Sequence, residues 1–401
     1  MNNRDFQETY KMAVEILTPV NIACNEVLKA NEYLYDAKTS TVYFLNQMMW
    51  HKFIYTHNLF DEYERYIKSS GEKSLYEWLQ SFGYKINDVK LAIKSKAFAH
   101  VNVLKSKKTL NDIVLQSKLI DGTPFIPGSS IKGVIRTAIL YDLLNKNREI
   151  KKRYWNEIKS LRSSMKSAQI KKYLINDINK DINKKATNLE VALLHKLNLV
   201  NKENKPIKQF NAVCSVMRGI SVGDSEHINQ AVPMEVLQKI DLGLNKDVDV
   251  GKELPVFREC ILPKAKFNFQ LKIDKTMTKE IGINSIDDLL RVLQNYFDFV
   301  NDIFKSVFGK RCEHLFDEIN GGNIYLGSNT GFLTKTLVMA LADRKEEAVD
   351  FIRDLLDMNF NQKDVKHNGK NDTNISPRTL KTTKYKGNTI LMGVAKIYKD
   401  E

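Results

Sequence analysis

Apolar and polar residues alternate strictly along Lys266-Phe-Asn-Phe-Gln-Leu-Lys-Ile273, which predicts a strand with one buried face. Looser alternation predicts strands at Tyr10 to Leu17 and in two runs within Tyr33 to Leu45, joined by a hairpin turn at Asp36-Ala-Lys-Thr-Ser40. Leu17-Thr-Pro-Val-Asn-Ile-Ala-Cys-Asn-Glu-Val-Leu28 reads as a loop entered through proline. Extended segments recur at Val114 to Ile126, Val213 to Val222, Val256 to Leu262 and Thr389 to Ile397. Helical spacing governs most of residues 47–95, where Trp50, Phe53, Tyr55, Phe60, Tyr63 and Tyr66 fall. Such rings can stack on bases, but at this spacing they read as core. Ser285 with Asp288 starts a further helix in the manner of a capping box, carrying Ile286, Leu289, Leu290, Leu293, Phe297, Val300 and Phe304 as its stripe. Asp343 with Glu346 marks the start of another, and Asn176 to Asn188 reads as loop. Strands separated by helices in both halves predict an α+β fold of two units, residues 1–200 and 201–401.

One stretch stands out, Asp121-Gly-Thr-Pro-Phe-Ile-Pro-Gly-Ser-Ser-Ile-Lys-Gly-Val-Ile-Arg-Thr-Ala-Ile-Leu140. Pro127 ends an extended segment, Gly128 permits a sharp turn, and Ser129 or Ser130 can cap a helix. Ile131, Val134, Ile135, Ala138 and Ile139 then mark its buried face. Lys132 and Arg136 are four residues apart and project from one side, with Gly133 keeping the surface between them low. Cations beside free amides at a helix start can seat a phosphate; the same spacing equally describes a solvated basic face.

Charge changes the picture. The 401 residues carry a formal +14, which favours a polyanionic partner. Much of the excess lies in residues 145–185, with 13 Lys or Arg against 4 Asp or Glu. Interspersed Trp155, Ile158, Leu161, Ile170, Tyr173 and Leu174 predict helices there, either a nucleic-acid-facing insertion or a solvated helical excursion. The N-terminal residues lack a signal-peptide core, and no window is apolar enough to span a bilayer. Cys24, Cys214, Cys260 and Cys312 lie far apart, which fits a reducing cytoplasm and argues against a zinc ribbon.

Candidate chemistry is sparse. Gly128-Ser-Ser-Ile-Lys-Gly133 lacks the Gly-Lys-Ser/Thr of a nucleotide-hydrolysing loop, and Gly321 to Gly331 lacks a dinucleotide fingerprint. The seven histidines form no ligand-spaced cluster, so no metal and no cofactor is expected. His51 or His57 could act as a base in RNA cleavage, although each reads better as an ordinary surface or core histidine, and Asp224 reads as a turn residue.

Phe125-Ile-Pro-Gly-Ser-Ser-Ile-Lys-Gly-Val-Ile-Arg136 resembles the signature of the RAMP superfamily of CRISPR systems. Leu17 to Ile22, Arg218 to Ser225, Phe257-Arg-Glu-Cys260, Gly327 to Lys335, Ser376-Pro-Arg-Thr-Leu-Lys381 and Met392-Gly393 narrow the resemblance to the fifth Csm subunit of type III-A effector complexes. The resemblance implies two ferredoxin-like (RRM-like) RAMP domains with helical insertions. It also implies a cytoplasmic, non-catalytic subunit that caps the backbone filament at the 3′ end of the guide RNA (crRNA). Such a subunit contacts a neighbouring RAMP subunit and supports crRNA maturation through recruited nucleases. The RNA contacts expected on this reading are Gly128, Ser129, Ser130, Lys132, Gly133 and Arg136, with Lys335, Arg378 and Lys381 as further candidates. Many relatives carry Thr-Pro-x-His-Ile-Gly where this chain has Thr18-Pro-Val-Asn-Ile-Ala23, and Asn21 cannot serve as an imidazole base. The rival readings are a metal-independent RAMP endoribonuclease and a structural subunit whose basic surface meets protein.

Overall fold

The strand nearest the N-terminus lies in the middle of a sheet, between strands from the far end of the chain. This follows from a computed structural model, which describes residues 6–69, 73–99, 111–227, 232–243, 251–360, 367 and 369–400. The first part of the chain forms β1 (Gln7–Ile16), β2 (Ala23–Leu28), β3 (Tyr33–Asp36), β4 (Thr41–Leu45), α1 (Gln47–Thr56), α2 (Phe60–Lys68), α3 (Leu75–Ser81), β5 (Ile93–Ala99) and β6 (Ile113–Gln116). Four helices follow: α4 (Gly128–Lys146), α5 (Arg148–Lys159), α6 (Arg162–Ile170) and α7 (Ile175–Leu194). Next come β7 (Ile220–Val222), β8 (Glu226–His227), β9 (Met234–Gly243), β10 (Lys252–Ile261), β11 (Lys266–Asp274), α8 (Lys275–Thr278) and α9 (Ile286–Asp317). The chain continues through β12 (Ile324–Tyr325), α10 (Val338–Leu341), α11 (Lys345–Asn359), β13 (Thr379–Tyr385), β14 (Asn388–Leu391) and β15 (Val394–Lys399).

The first sheet has the order β12-β15-β1-β11-β7, with β8 also on β11 and every neighbouring pair antiparallel. Along the chain its main elements run β1, α4, β7, β11, α9, β15, so the fourth strand lies beside the first and the third beside the second. The strict alternation of β11 buries Phe267, Phe269, Leu271 and Ile273. These meet Ile135 and Ile139 of α4 and Leu293 and Phe297 of α9 in one core. The Tyr141 ring of α4 lies 4.7 Å from Phe299 of α9. As expected, the Ser285 side chain accepts from the Asp288 amide, at 3.2 Å, to start α9.

The second sheet runs β2-β6-β10-β9-β5-β4-β3. Along one edge of β9 lies β10; the other edge takes β5 at Glu235 and Val236 and β13 at Ile240 to Gly243, with β14 completing a hairpin. The fold is thus mixed α+β, and both sheets draw strands from either side of residue 200. Helices α1 to α3 enclose their own aromatic core, in which Trp78 lies 6.4 Å from Trp50 and 5.4 Å from Tyr63. Trp50, Phe53, Tyr63 and Tyr66 are interior, whereas Tyr55 and Phe60 are exposed.

Several expectations are corrected. Residues 176–188 lie in α7, because Ile175, Ile178, Ile182 and Leu189 keep helical spacing while Asn176 and Asn183, poor helix formers, face outward and Asn179 bonds Asn359 of α11 at 2.8 Å. Residues 213–219 form two 3₁₀ turns, with the second begun by Ser215 accepting from the Met217 amide, and only Ile220–Val222 is strand. The supposed loop Leu17 to Leu28 contains β2, and β9 was not anticipated. Helix α11 starts after Arg344 with no side-chain cap; Glu346 and Glu347 sit in its first turn, where the helix dipole favours acids.

The basic insertion folds back onto α11. Arg162 pairs with Asp354 at 2.8 Å and Asp350 at 3.3 Å, and the Trp155 indole donates to Glu347 at 3.0 Å. Trp155 also packs edge-on against Phe351 and belongs to the same hydrophobic core as the first sheet. Among the described residues, no helix is long and apolar enough to cross a membrane.

Candidate nucleic-acid interface

Helix α4 begins one turn earlier in its hydrogen bonding than the serines suggested. Pro127 is its N-cap, and Ser129 and Ser130 lie inside the first turn without a capping hydrogen bond. The Gly128 amide donates instead to the Asp224 carboxylate at 2.7 Å, and the Ile126 amide to Ser225 Oγ at 2.8 Å. Gly128 must be glycine for a packing reason, since a Cβ there would lie 2.4 Å from the Val222 carbonyl oxygen. Asp224 therefore does more than turn the chain. Its carboxylate holds one amide of the helix start and opposes an anion there, so the helix terminus by itself is a poor phosphate seat.

The cations of α4 lie on its flank. Lys132 is half-buried, and burial together with the Arg136 charge lowers its pKa. Among the described residues no carboxylate pairs with Lys132, whereas Arg136 reaches Glu190 of α7 at 3.7 Å. Ser130, Gly133, Val134 and Thr137 occupy a different face of the helix, spaced three or four apart. They form one wall of a cleft whose other wall is the glycine loop at residues 321–335. The structure thus brings Ser130 and Gly133 together with Lys335, which lines the same cleft.

Behind that loop sits Asn21. Its amide donates to the Glu259 carbonyl at 2.8 Å, and its Oδ1 accepts from Arg258 at 3.1 Å and from Ser328 Oγ at 2.7 Å. The Ser328 amide closes on the Asn21 carbonyl at 2.8 Å, and Gly327 is needed there because a Cβ would sit 2.4 Å from that oxygen. The Thr-Pro loop, β10 and the glycine loop are locked by neutral groups, so Arg258 keeps its charge unmatched. Burial holds the Arg258 pKa below its ordinary value, and burial with the Arg258 charge lowers that of Lys335.

On the other side of the glycine loop, Lys381 lies against Gly331 and bonds Asp241 at 2.8 Å. Lys239 approaches the same carboxylate at 3.7 Å; burial first, then Lys381 and Arg258, lower its pKa. Among the described residues, Asp241 is the sole carboxylate in ion-pair range of Lys239, Arg258, Lys335 and Lys381. Arg378 is placed elsewhere. It pairs at 3.1 Å with the fully buried Asp372, which also bonds Ser376 and His367. Arg258 and Lys239 escaped the sequence reading. Arg258 lies in a segment that carried the resemblance, but Lys239 stands on the unanticipated β9 and gave no signal.

The two histidines of α1 sit as ordinary side chains of that helix and its end. His57 terminates α1, with Nδ1 2.8 Å from the Phe53 carbonyl and its ring against Phe53 and Tyr84. His51 stands on the same helix beside Tyr63. Among the described residues no group of three or more His, Cys, Asp or Glu is placed to hold a metal ion.

A mixed α+β fold with a cationic cleft beside a glycine loop defines a class that comparison makes explicit. A family model described as RAMP superfamily matches residues 14–312, and the chain belongs to that superfamily. Within it, the chain is similar to proteins described as CRISPR system Cms protein Csm5. The CRISPR system Cms protein Csm5 of Mycobacterium tuberculosis (strain ATCC 25618 / H37Rv) is 23% identical over 396 residues, 94% of each chain. That of Streptococcus thermophilus is 24% identical over 345 residues, 82% of this chain and 80% of the relative. The fold is shared with a chain of the cryo-EM structure of a Csm–crRNA–target RNA ternary complex, at a TM-score of 0.63 and 16% identity, covering 98% of this chain and 100% of that one. It is shared too with the crystal structure of T. onnurineus Csm5, at a TM-score of 0.58 and 15% identity, covering 96% and 99%.

Proposed function

We propose that this chain is a non-catalytic RNA-binding subunit of a type III-A Csm ribonucleoprotein, acting in the cytoplasm. It caps the backbone filament at the 3′ end of the crRNA, contacts the neighbouring RAMP subunit, and supports crRNA maturation by recruited nucleases. The observation that carries the RNA-binding reading is the set formed by the half-buried cations Lys132 and Arg258 and the exposed Lys335 of the cleft, none with a carboxylate in range among the described residues. Burying a cation without a counter-ion is costly, and a phosphate supplies the missing charge. Ser129, Ser130, Gly133 and Arg136 border this surface, and Lys381 extends it past the glycine loop. On the same reading the two sheets are two ferredoxin-like units; the strand and helix order of the first sheet supports this for β1, α4, β7, β11, α9 and β15.

The test is binding of the purified chain to labelled crRNA across a salt series, with intact RNA recovered at the end. A steep loss of affinity with salt is expected. Salt-independent or absent binding would return the structural-subunit reading. Cleavage that tracks the protein through purification, and vanishes on substituting one His or Asp, would return the endoribonuclease.

A further inference from the structure

Gly133 has no reason to be glycine within the fold. It lies mid-helix, where glycine is unfavourable relative to alanine. No positive φ requires it, and a Cβ built there meets nothing within 4 Å. This separates it from Gly128 and Gly327, where neighbouring backbone leaves no room for a Cβ. What Gly133 does is lower one wall of the cleft between α4 and the glycine loop, a cavity of about 400 Å³. Pockets of this size hold small organic groups. Leu293, Tyr296 and Phe297 of α9 give it an apolar floor, and Lys335 stands at the same cleft with Arg258 behind it.

An occupant must therefore be partly apolar, thin enough to lie across Gly133, and anionic next to Lys335. We infer that the cleft receives one unstacked ribonucleotide of the guide RNA, its base on the apolar floor and its phosphate at Lys335. This deepens, and rests on, the RNA-binding reading. A base and a phosphate from one nucleotide satisfy the apolar floor and the uncompensated charge together, which neither an apolar side chain nor a free anion does. Base contacts of this kind tolerate any sequence, because every base has a flat face.

The test uses the full chain and fluorescence anisotropy with labelled single-stranded guide RNA. Gly133→Ala and Gly133→Leu place side chains into open space, so both variants remain folded, and Gly133→Ala raises the midpoint of thermal unfolding. Gly133→Leu weakens binding roughly tenfold by displacing the base, with the salt slope unchanged, and Gly133→Ala weakens it less. Lys335→Gln instead flattens the salt slope by about 0.7. Scanning single abasic sites along the RNA identifies one position where removing the base costs wild-type binding but costs Gly133→Leu nothing more. A folded Gly133→Leu that binds as tightly as wild type overturns the inference and leaves the RNA-binding reading standing. Additive losses at every abasic position overturn it as well. Failure of the wild-type chain to bind RNA at low salt overturns both.

Discussion

Asn21 and Arg258 stand 237 residues apart and meet through a hydrogen bond of 3.1 Å. That contact, with the Asn21 amide on the Glu259 carbonyl, joins the loop after β1 to the second sheet. Asn21→Ala leaves a buried carbonyl and a guanidinium N–H without partners and is expected to destabilise the protein by about 1–3 kcal/mol. Chemical denaturation measures it; an unchanged midpoint would show that the loop is held by other contacts.

Two glycines five residues apart respond oppositely. Gly128→Ala forces a Cβ to 2.4 Å from the Val222 carbonyl oxygen and 2.6 Å from that of Gly223, a clash with backbone that no rotamer relieves. Its cost is about 1–3 kcal/mol, whereas Gly133→Ala stabilises by up to about 1 kcal/mol. Thermal unfolding of the two variants checks both signs.

The insertion of α5 to α7 depends on its acidic partner. Arg162→Ala strips the buried Asp354 of its nearer cation, at 2.8 Å, and leaves only Arg353, at 3.8 Å. Losing the shorter, hydrogen-bonded contact to that buried carboxylate costs about 1–3 kcal/mol. Asp354→Asn in the same background restores part of the loss, and limited proteolysis within residues 145–185 reads whether the helices have left α11.

Stability depends on pH through His367. Its ring lies 2.6 Å from Asp357 and 3.2 Å from Asp372, and the hydrogen bond to Asp372 raises its pKa above the ordinary 6.5. A raised folded-state pKa contributes stability that is fully present below pH 6.5 and lost as pH rises through the folded value. Asp372 is shifted the other way: burial raises its pKa, but its bonds to His367 and Ser376 and the Arg378 charge outweigh burial. Its contribution is present above 3.8 and lost as pH falls through the lowered value. The difference in stability between wild type and His367→Gln therefore narrows as pH rises from 6.5, and denaturation at several pH values follows it.

Lys132 and Lys335 should each account for one phosphate. The double variant Lys132→Ala/Lys335→Ala flattens the dependence of log affinity on log salt by about 1.4. Arg136→Ala changes it less, because Glu190 already lies 3.7 Å from that guanidinium. Equal effects of Lys132 and Arg136 would restore the paired clamp that their spacing suggests.

The sequence disclosed what depends on local pattern. The alternation in Lys266 to Ile273, the capped start at Ser285 and the hairpin at Asp36 to Ser40 are each settled by a few adjacent residues. Strand β9 was not, because Glu235 to Gln238 breaks strict alternation and the strand is held by neighbours on both edges. The same holds for the site. Spacing on one helix put Lys132 beside Arg136, but only the fold sends Arg136 toward Glu190 and sets Gly133 across from Lys335. Arg378 read as free charge in the sequence because its partner Asp372 is recognisable only by burial.

The placement of β1 has a consequence for synthesis. Synthesised before its neighbours in the sheet, this strand waits for residue 266 before its first long partner exists, and for residue 394 before its second. Until then Met12, Val14 and Ile16, fully buried in the finished protein, have no sheet to join. The helical cluster of α1 to α3 closes on contacts local in sequence and can form early. Assembly of the first sheet is therefore a late step that waits on β15, and losing that strand would leave β1 open along an edge.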